Sequence, residues 1–349
     1  MRIVVDVAPL SHPRTGVGNY IRGSLLGLAQ AGGQEVVAFA PASRTGRRLI
    51  ERSLDGVAAE RRLPVLPAAH AVRTAWSRAG FPPVERFVGA LDVFHFGDWM
   101  YPPQRSGIRS TMIHDLVPLH FPDWVHRRTQ RMHGSKYRHA ARACDVVIVN
   151  SRFTGNDVAS TLGVDRSRIH VAHPGVGEEF TSDGPRADGD YVLAVGTLEP
   201  RKNLANAIAA AQRLGVELRV VGPRGWGGVE AHGSGVTWIE YPLDDELPAL
   251  YRGASAFVYP SRFEGFGIPV VEAMACGTPC VVSSHPSLDE ASGDAAVRVD
   301  PDDLDAIAAG IERARSERAE LVPAGLEHAR GFTWLANGRA HIAAWESAR

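Results

Sequence analysis

Glu264 and Glu272 lie eight residues apart in the stretch SRFEGFGIPVVEAMACGTPCVVSS, with Gly265 and Gly267 between them and Pro269 suited to the first turn of a helix. A glycine-bearing loop that enters a helix presents backbone N–H groups to an anion, and the helix dipole adds to the attraction. A carboxylate ahead of such a loop suits the hydroxyls of a sugar. A second carboxylate, one turn into the helix, suits the two hydroxyls of a ribose. The plainer account is a capped surface helix with two solvated glutamates, and the spacing alone favours it. The surroundings shift the balance. The segment Gly196-Thr-Leu-Glu-Pro-Arg-Lys-Asn203 follows an expected strand and precedes an expected helix. That sets Arg201 and Lys202 at a strand C-terminus, where open α/β sheets hold their ligands. A diphosphate leaving group needs such neutralisation, by cations or by a metal. Near Tyr241 a strand end leads into a capped helix, and backbone groups at Tyr241 and Leu243 suit a nucleobase edge.

Such residues need parallel strands behind them. Apolar β-branched runs at 2–7, 35–41, 92–96, 110–114, 145–150 and 169–172 alternate with amphipathic stretches near 18–31, 68–88, 123–143 and 151–162, the last capped by Ser151. The segment 173–190 is rich in Gly, Pro and acid and reads as a linker. A second series has strands at 191–196, 218–222, 236–241, 256–260, 279–283 and 295–300. Its helices fall near 203–214, 245–253, 268–276, 302–317 and 317–330, and residues 333–348 form a last helix. Continuous apolar strands between helices mean parallel sheets covered on both faces. The expectation is two doubly wound α/β domains in tandem.

Length and composition agree. A chain of 349 residues suits two domains, and 44% apolar with 22% charged residues is globular composition. The N-terminus lacks the features of a signal peptide, and no run of about 18 apolar residues occurs. Cys144, Cys276 and Cys280 are too few and too irregularly spaced for a disulfide framework or a four-ligand zinc site. A soluble cytoplasmic protein is expected. The net charge of −1 hides a division: residues 1–172 hold 23 Lys/Arg against 13 Asp/Glu, and residues 173–349 hold 15 against 26. The two halves present fields of opposite sign.

Taken with Gly16-Val17-Gly18-Asn19-Tyr20, Ile113-His114-Asp115-Leu116, Asn150-Ser151 and Phe332-Thr-Trp334, these motifs resemble the family-4 retaining glycosyltransferases of the GT-B fold. The resemblance spans nearly the whole chain. It implies two Rossmann-like domains with a cleft between them: an acceptor-side domain at 1–172, a linker at 173–190, a donor domain at 191–331, and a helix at 332–349 that crosses back to the first domain. It also implies roles. Glu264 would bind hydroxyls of the donor sugar, with the amides of Phe266, Gly267 and Ile268 close to sugar and phosphate. Glu272 would hold the ribose. Arg201 and Lys202 would neutralise the diphosphate, with amides of the Gly16–Val17–Gly18 loop. His114 would lie beside the transferred sugar. Many members have Gly-Arg where this chain has Gly196-Thr197, so the phosphate site leans on Arg201 and Lys202.

A lone histidine at a strand end is more often structural, but the motif favours a functional His114, which can hydrogen-bond without titrating. Asp115 reads better as a loop cap. His12, His120 and His173 carry no pattern. A nicotinamide site fails, because Ile21 stands where the third glycine belongs and the second strand ends Ala40-Pro41 without an acid. Asp303-Leu304-Asp305 spells a metal motif but sits at a helix start, where capping explains it. No metal and no cofactor beyond the nucleotide sugar are expected. With no convincing nucleophile, the leaving diphosphate would help deprotonate the acceptor on the same face. The Ile-His-Asp-Leu-x-Pro and Glu-Pro-Arg-Lys-Asn variants look most like bacterial mannosyltransferases of polysaccharide biosynthesis that use GDP-mannose, with UDP-glucose and UDP-GlcNAc open.

The acceptor would be a glycan or a lipid-linked molecule. Arg127, Arg128, Arg131, Lys136, Arg138 and Arg142 on one helix, with Arg44, Arg47, Arg48, Arg52, Arg61 and Arg62, read either as solvated faces or as contact with an anionic membrane on its inner face. Nucleic acid is the weaker partner, since aromatics are few along the basic helix. The rival readings are a nucleotide-sugar epimerase on the same fold and a nucleotide-sugar-binding scaffold without turnover.

Overall fold

The computed structural model describes residues 1–12, 15–97, 101–225, 234–240, 242 and 246–349, with the backbone alone for Ser77. Among them, thirteen strands form two wholly parallel sheets. The first contains β1 (Arg2–Asp6), β2 (Glu35–Phe39), β3 (Glu60–Arg62), β4 (Val93–Phe96), β5 (Ile108–Ile113), β6 (Val146–Val149) and β7 (Ile169–Val171), in the order β3-β2-β1-β4-β5-β6-β7. The second contains β8 (Tyr191–Val195), β9 (Glu217–Val221), β10 (Val236–Ile239), β11 (Ala256–Tyr259), β12 (Cys280–Ser283) and β13 (Ala296–Val299), in the order β10-β9-β8-β11-β12-β13. In each sheet the order reverses once, between β1 and β4 and between β8 and β11, and such reversals are where doubly wound folds hold ligands.

The continuous apolar reading of the strands has a direct cause. Successive side chains point to opposite faces, and both faces are covered. Ile3 and Val5 enter one core while Val4 enters the other. In the second sheet Tyr191 and Leu193 face one core, and Val192 and Ala194 face the other. All three cysteines are buried and free. No helix among the described residues is long and apolar enough to cross a membrane.

Three elements differ from the sequence expectation. The edge strand β3 reads Glu-Arg-Arg, too short and too polar to register as a strand. Residues 44–53 form a helix capped by Ser43, whose hydroxyl accepts from the Gly46 amide. The stretch 68–88 is two helices, Ala69–Ala79 and Glu85–Val88, because left-handed Gly80 ends the first and Pro82 and Pro83 follow. Asp303 caps the helix Leu304–Ser316, accepting from the amides of Asp305 and Ala306.

The chain divides into two units: Met1–Gly175 with Thr333–Arg349, and Val176–Phe332. Residues 173–175 lie in the first. Residues 176–190 lie in the second, where the buried Arg252 guanidinium donates to the carbonyls of Glu179, Thr181 and Pro185. The final helix, Trp334–Glu346, packs along the helix Gly16–Ala31 within the first unit. Their crossing is made of glycine. A Cβ on Gly27 would overlap the Trp334 carbonyl, one on Gly338 would overlap the Gly27 backbone, and one on Gly23 would enter the Trp334 ring.

Polar contacts fix the same helix. Asn337 donates to the His173 carbonyl (2.7 Å), and the Trp345 indole donates to Ser110 Oγ (2.8 Å). Alanine is worth about 1 kcal/mol over glycine inside an ordinary helix. Here the overlap outweighs that gain, so Gly27→Ala should destabilise the protein by about 2 kcal/mol, read as a lower urea midpoint. A midpoint equal to or above that of the unsubstituted protein would refute the close crossing.

Candidate functional site

In the second unit the motif residues gather at the C-terminal ends of β8, β11 and β12, beside the reversal of strand order. The loop after β8 is held rigidly. Pro200 opens a short turn ending at Asn203, whose φ of 53° is left-handed, a conformation that Asn tolerates. The buried Asn203 amide donates to the carbonyls of Pro260 (3.2 Å) and Pro301 (2.6 Å). The Arg262 amide donates to the Arg201 carbonyl (2.9 Å). These bonds tie the loop after β8 to the loop after β11 and set Arg201 and Lys202 beside Glu264.

The Glu264 side chain is only 7% exposed. Arg201 Nη1 donates to Oε2 at 2.5 Å, Lys202 Nζ to Oε1 at 2.7 Å, and the Tyr259 hydroxyl to Oε1 at 3.0 Å. The second arm of Arg201 reaches Glu199 at 2.6 Å, and Lys202 also donates to the Tyr259 oxygen. The Glu264 backbone amide donates to Ser287 Oγ (3.0 Å). Burial alone would push the carboxyl up, but Arg201 and Lys202 prevail and hold it at about 2. Burial lowers the Lys202 ammonium from its ordinary value, and Glu264 opposes that shift. Glu264 is therefore a fixed carboxylate that cannot donate a proton near neutrality.

Beyond Glu264, Gly267 adopts φ 107° and opens the helix Ile268–Ala275. A Cβ there would press on Leu288, 2.6 Å away, so both backbone angle and space call for glycine. Buried Phe266 packs on Phe332 with ring centroids 5.2 Å apart, which anchors the loop from below. Glu272 sits one turn into the helix, and its Oε2 accepts from the Tyr251 hydroxyl at 3.1 Å. The amides at the helix start, from Gly267 and Ile268, have no partner within the helix itself.

In the first unit, His114 follows the C-terminal end of β5. Its Nε2 is buried without a hydrogen-bond partner among the described residues, and its ring meets Tyr20 edge-on at 5.0 Å. Burial first, then the charges of Lys136 and His133, lower its pKa to about 3. The ring is neutral at physiological pH and offers a hydrogen bond rather than a proton shuttle. Asp115 Oδ1 accepts from the Val117 amide (3.0 Å), so it caps the following turn. Gly16 leads the helix Gly16–Ala31, capped by Thr15, whose hydroxyl accepts from the Gly18 amide at 3.2 Å. The Gly18 amide is thus committed to the cap, while Gly16 and Val17 occupy the open end of the helix.

The structure therefore brings Arg201, Lys202 and Glu264 into one cluster and sets Phe266, Gly267, Ile268 and Glu272 on the adjoining loop and helix. It places His114, Gly16, Val17 and Gly18 in the first unit. Tyr241 and Leu243 lie outside the described residues. The sequence reading passed over Glu199, Tyr259 and Ser287. Glu199 stands inside the Glu-Pro-Arg-Lys-Asn segment and its charge was a usable signal; Tyr259 and Ser287 carry none.

Removing one partner from a buried ion cluster leaves charge uncompensated and costs about 3–5 kcal/mol. Glu264→Gln should lower stability by about that amount and reduce turnover on the order of 10²–10³-fold, measured by denaturation and by donor consumption. A depressed carboxylate pKa contributes stability that is complete above about pH 4.5 and is lost as pH falls towards about 2. Stability of the unsubstituted protein should therefore fall more steeply below pH 4.5 than that of Glu264→Gln. Equal slopes would contradict the pairing.

Comparisons with known proteins follow the same division. The sequence profile of "Glycosyltransferase Family 4" matches residues 14–180, and that of "Glycosyl transferases group 1" matches residues 177–324. The O-antigen chain mannosyltransferase B of Escherichia coli is 29% identical, over 96% of this chain and 96% of its own length. Among solved structures, a sucrose-phosphate synthase from Thermosynechococcus elongatus superposes with a TM-score of 0.72 at 18% identity, covering 99% of this chain and 98% of that one. The Anabaena protein HepE, solved with UDP and glucose, gives 0.68 at 15% identity and covers 98% of each chain. Two parallel Rossmann-like domains, the paired profiles along their length and a full-length relative agree: the chain belongs to the family-4 glycosyltransferases of the GT-B fold and is a glycosyltransferase.

Proposed function

We propose that the chain transfers a hexose with retention of configuration, mannose from GDP-mannose, to a glycan or lipid-linked acceptor in polysaccharide assembly. The observation that carries this reading is the buried Glu264 carboxylate held between Arg201 and Lys202 at the switch point of the second sheet. Two cations so placed suit a diphosphate leaving group, and a carboxylate fixed among them suits sugar hydroxyls. The mannosyl assignment draws on the name of the full-length Escherichia coli relative.

In this mechanism the bond from the anomeric carbon to the phosphate oxygen breaks, and its electron pair stays on the diphosphate. Arg201 and Lys202 stabilise the developing charge. The acceptor hydroxyl attacks the anomeric carbon on the same face, and its proton passes to the departing phosphate oxygen. Glu264 remains ionised and holds the sugar, Glu272 takes the ribose hydroxyls, and neutral His114 hydrogen-bonds the transferred sugar. No step requires a metal.

The test is a panel of GDP-mannose, UDP-glucose and UDP-GlcNAc with lipid-linked acceptors, with product configuration read by NMR and the protein read by intact mass. Turnover of GDP-mannose to an α-linked product, insensitive to EDTA, is the expected result. A glycosyl adduct on Glu264, an inverted product or a strict metal requirement would overturn the mechanism. Interconversion of donor sugars without acceptor would favour an epimerase, and donor binding without turnover a scaffold.

The first unit suits an anionic surface. It holds 25 Lys/Arg against 14 Asp/Glu. Arg127, Arg128, Arg131, Arg138 and Arg142 are exposed on the helix Arg127–Ala143. Lys136 on the same helix is corrected from the expected surface: it is buried, and its ammonium donates to the carbonyls of Gly97 (2.9 Å) and Met112 (2.6 Å). Arg128 contacts His70, which brings the basic helix against Ala69–Ala79, and Val72 (41%), Phe81 (64%) and Phe87 (40%) are exposed there. Each exposed arginine contributes about 1 kcal/mol near anionic lipid. The protein should float with vesicles containing phosphatidylglycerol and stay behind with phosphatidylcholine alone, and Arg128→Glu with Arg131→Glu should weaken flotation. Equal recovery on both lipids would remove this contact.

A further inference from the structure

At the N-terminal edge of the second sheet, opposite the strand ends that carry Glu264, lies a second concentration of charge. A cavity of about 470 Å³ is lined by Arg186, Arg252, Arg315 and Arg318, with Asp188 as its one carboxylate. A second, of about 580 Å³, shares Arg186 and Arg318 and continues past Ser182, Cys276, Gly277 and Val322 without any acidic residue. Both are of small-molecule size. The unit around them is acidic, with 13 Lys/Arg against 25 Asp/Glu, so four guanidinium groups at one spot run against its field.

Arg186, Arg252 and Arg318 have no carboxylate partner among the described residues, so their charge is left uncompensated. Arg318 donates to the carbonyls of Ala254 (3.2 Å), Ser255 (3.3 Å) and Gly277 (3.1 Å), and among the described residues Arg252 likewise binds only carbonyls. Arg315 pairs with exposed Asp190 at 2.6 Å. Exposed Arg186 makes no ion pair among the described residues and stands close enough to Arg318 for the two charges to repel. Carbonyl bonds fix a guanidinium in place without neutralising it, which leaves its charge for an incoming anion.

We propose that this groove binds a phosphorylated small molecule, its phosphate between Arg186 and Arg318 and its uncharged part along Ser182, Cys276, Gly277 and Val322. The site is separate from Arg201 and Lys202 and does not depend on the transfer reaction. The helix Ile268–Ala275 ends at Cys276 and Gly277, so it joins this groove to the Glu264 loop.

The test titrates the full chain with pyrophosphate and with inorganic phosphate by calorimetry at constant ionic strength, alongside hydrogen exchange. The unsubstituted protein should bind pyrophosphate with protection at residues 186–190 and 316–322. Arg186→Glu, at an exposed position with no hydrogen bond or ion pair among the described residues, should lose that protection and bind there at least tenfold more weakly, while Arg186→Gln falls between. Lys202→Gln should keep it. Identical titrations for Arg186→Glu and the unsubstituted protein, or protection confined to residues 196–203 and 261–268, would overturn the proposal.

Discussion

A carboxylate removed from water beside two cations is the interaction on which the donor-side architecture turns. Desolvation works against Glu264, Arg201 and Lys202 alike, and only close, well-directed bonds offset it. The surrounding backbone supplies that precision. Left-handed Asn203 ties its turn to Pro260 and Pro301, Arg262 holds the Arg201 carbonyl, and Ser287 accepts from the Glu264 amide. The charges are thus arranged before any substrate arrives, so little reorganisation remains for the transition state. Burial pushes the Glu264 carboxyl up and the Lys202 ammonium down. At Glu264 the two cations overcome it and hold the carboxylate at about 2, whereas at Lys202 burial prevails over the attraction of Glu264 and its value lies below the ordinary one.

The first unit rests on a different constraint, close approach of backbones. The helices Gly16–Ala31 and Trp334–Glu346 meet through Gly23, Gly27 and Gly338 and bury Trp345 completely. The first of these helices begins at Gly16 and carries Tyr20, whose ring abuts His114. Packing of the C-terminal helix and placement of His114 are therefore mechanically linked. Around them His95 and His341 are buried, with pKa values lowered chiefly by burial, that of His341 to about 4. Neutral rings suit that dry interior, and they make the unit sensitive to acid as pH falls below their ordinary values.

Much of this was legible in the sequence, for identifiable reasons. Strands covered on both faces carry continuous apolar runs, so β1, β6, β11 and β12 declared themselves. Ser151 and Asp303 announced helix starts through their capping chemistry. Edge strand β3, whose residues are partly exposed, had no such signature. Burial of charge was equally invisible: Lys136 looks like one more cation on a basic helix, yet its position faces the carbonyls at the ends of β4 and β5. Tyr259 reads as an ordinary strand residue, and only the fold brings its hydroxyl to Glu264. Spacing identifies a motif; the third dimension decides which neighbours complete it.

The near-neutral total charge now resolves into a unit of +11 and a unit of −12, with Arg201 and Lys202 as cations set in the acidic one. The central claim is that Arg201 and Lys202 take the diphosphate while Glu264 takes the sugar. A crystal structure with an unreactive fluorinated GDP-mannose bound tests it most directly. The account predicts both cations on the diphosphate oxygens, Glu264 on sugar hydroxyls and Glu272 on the ribose. A diphosphate bound away from Arg201 and Lys202, with Glu264 still enclosed by them, would contradict it.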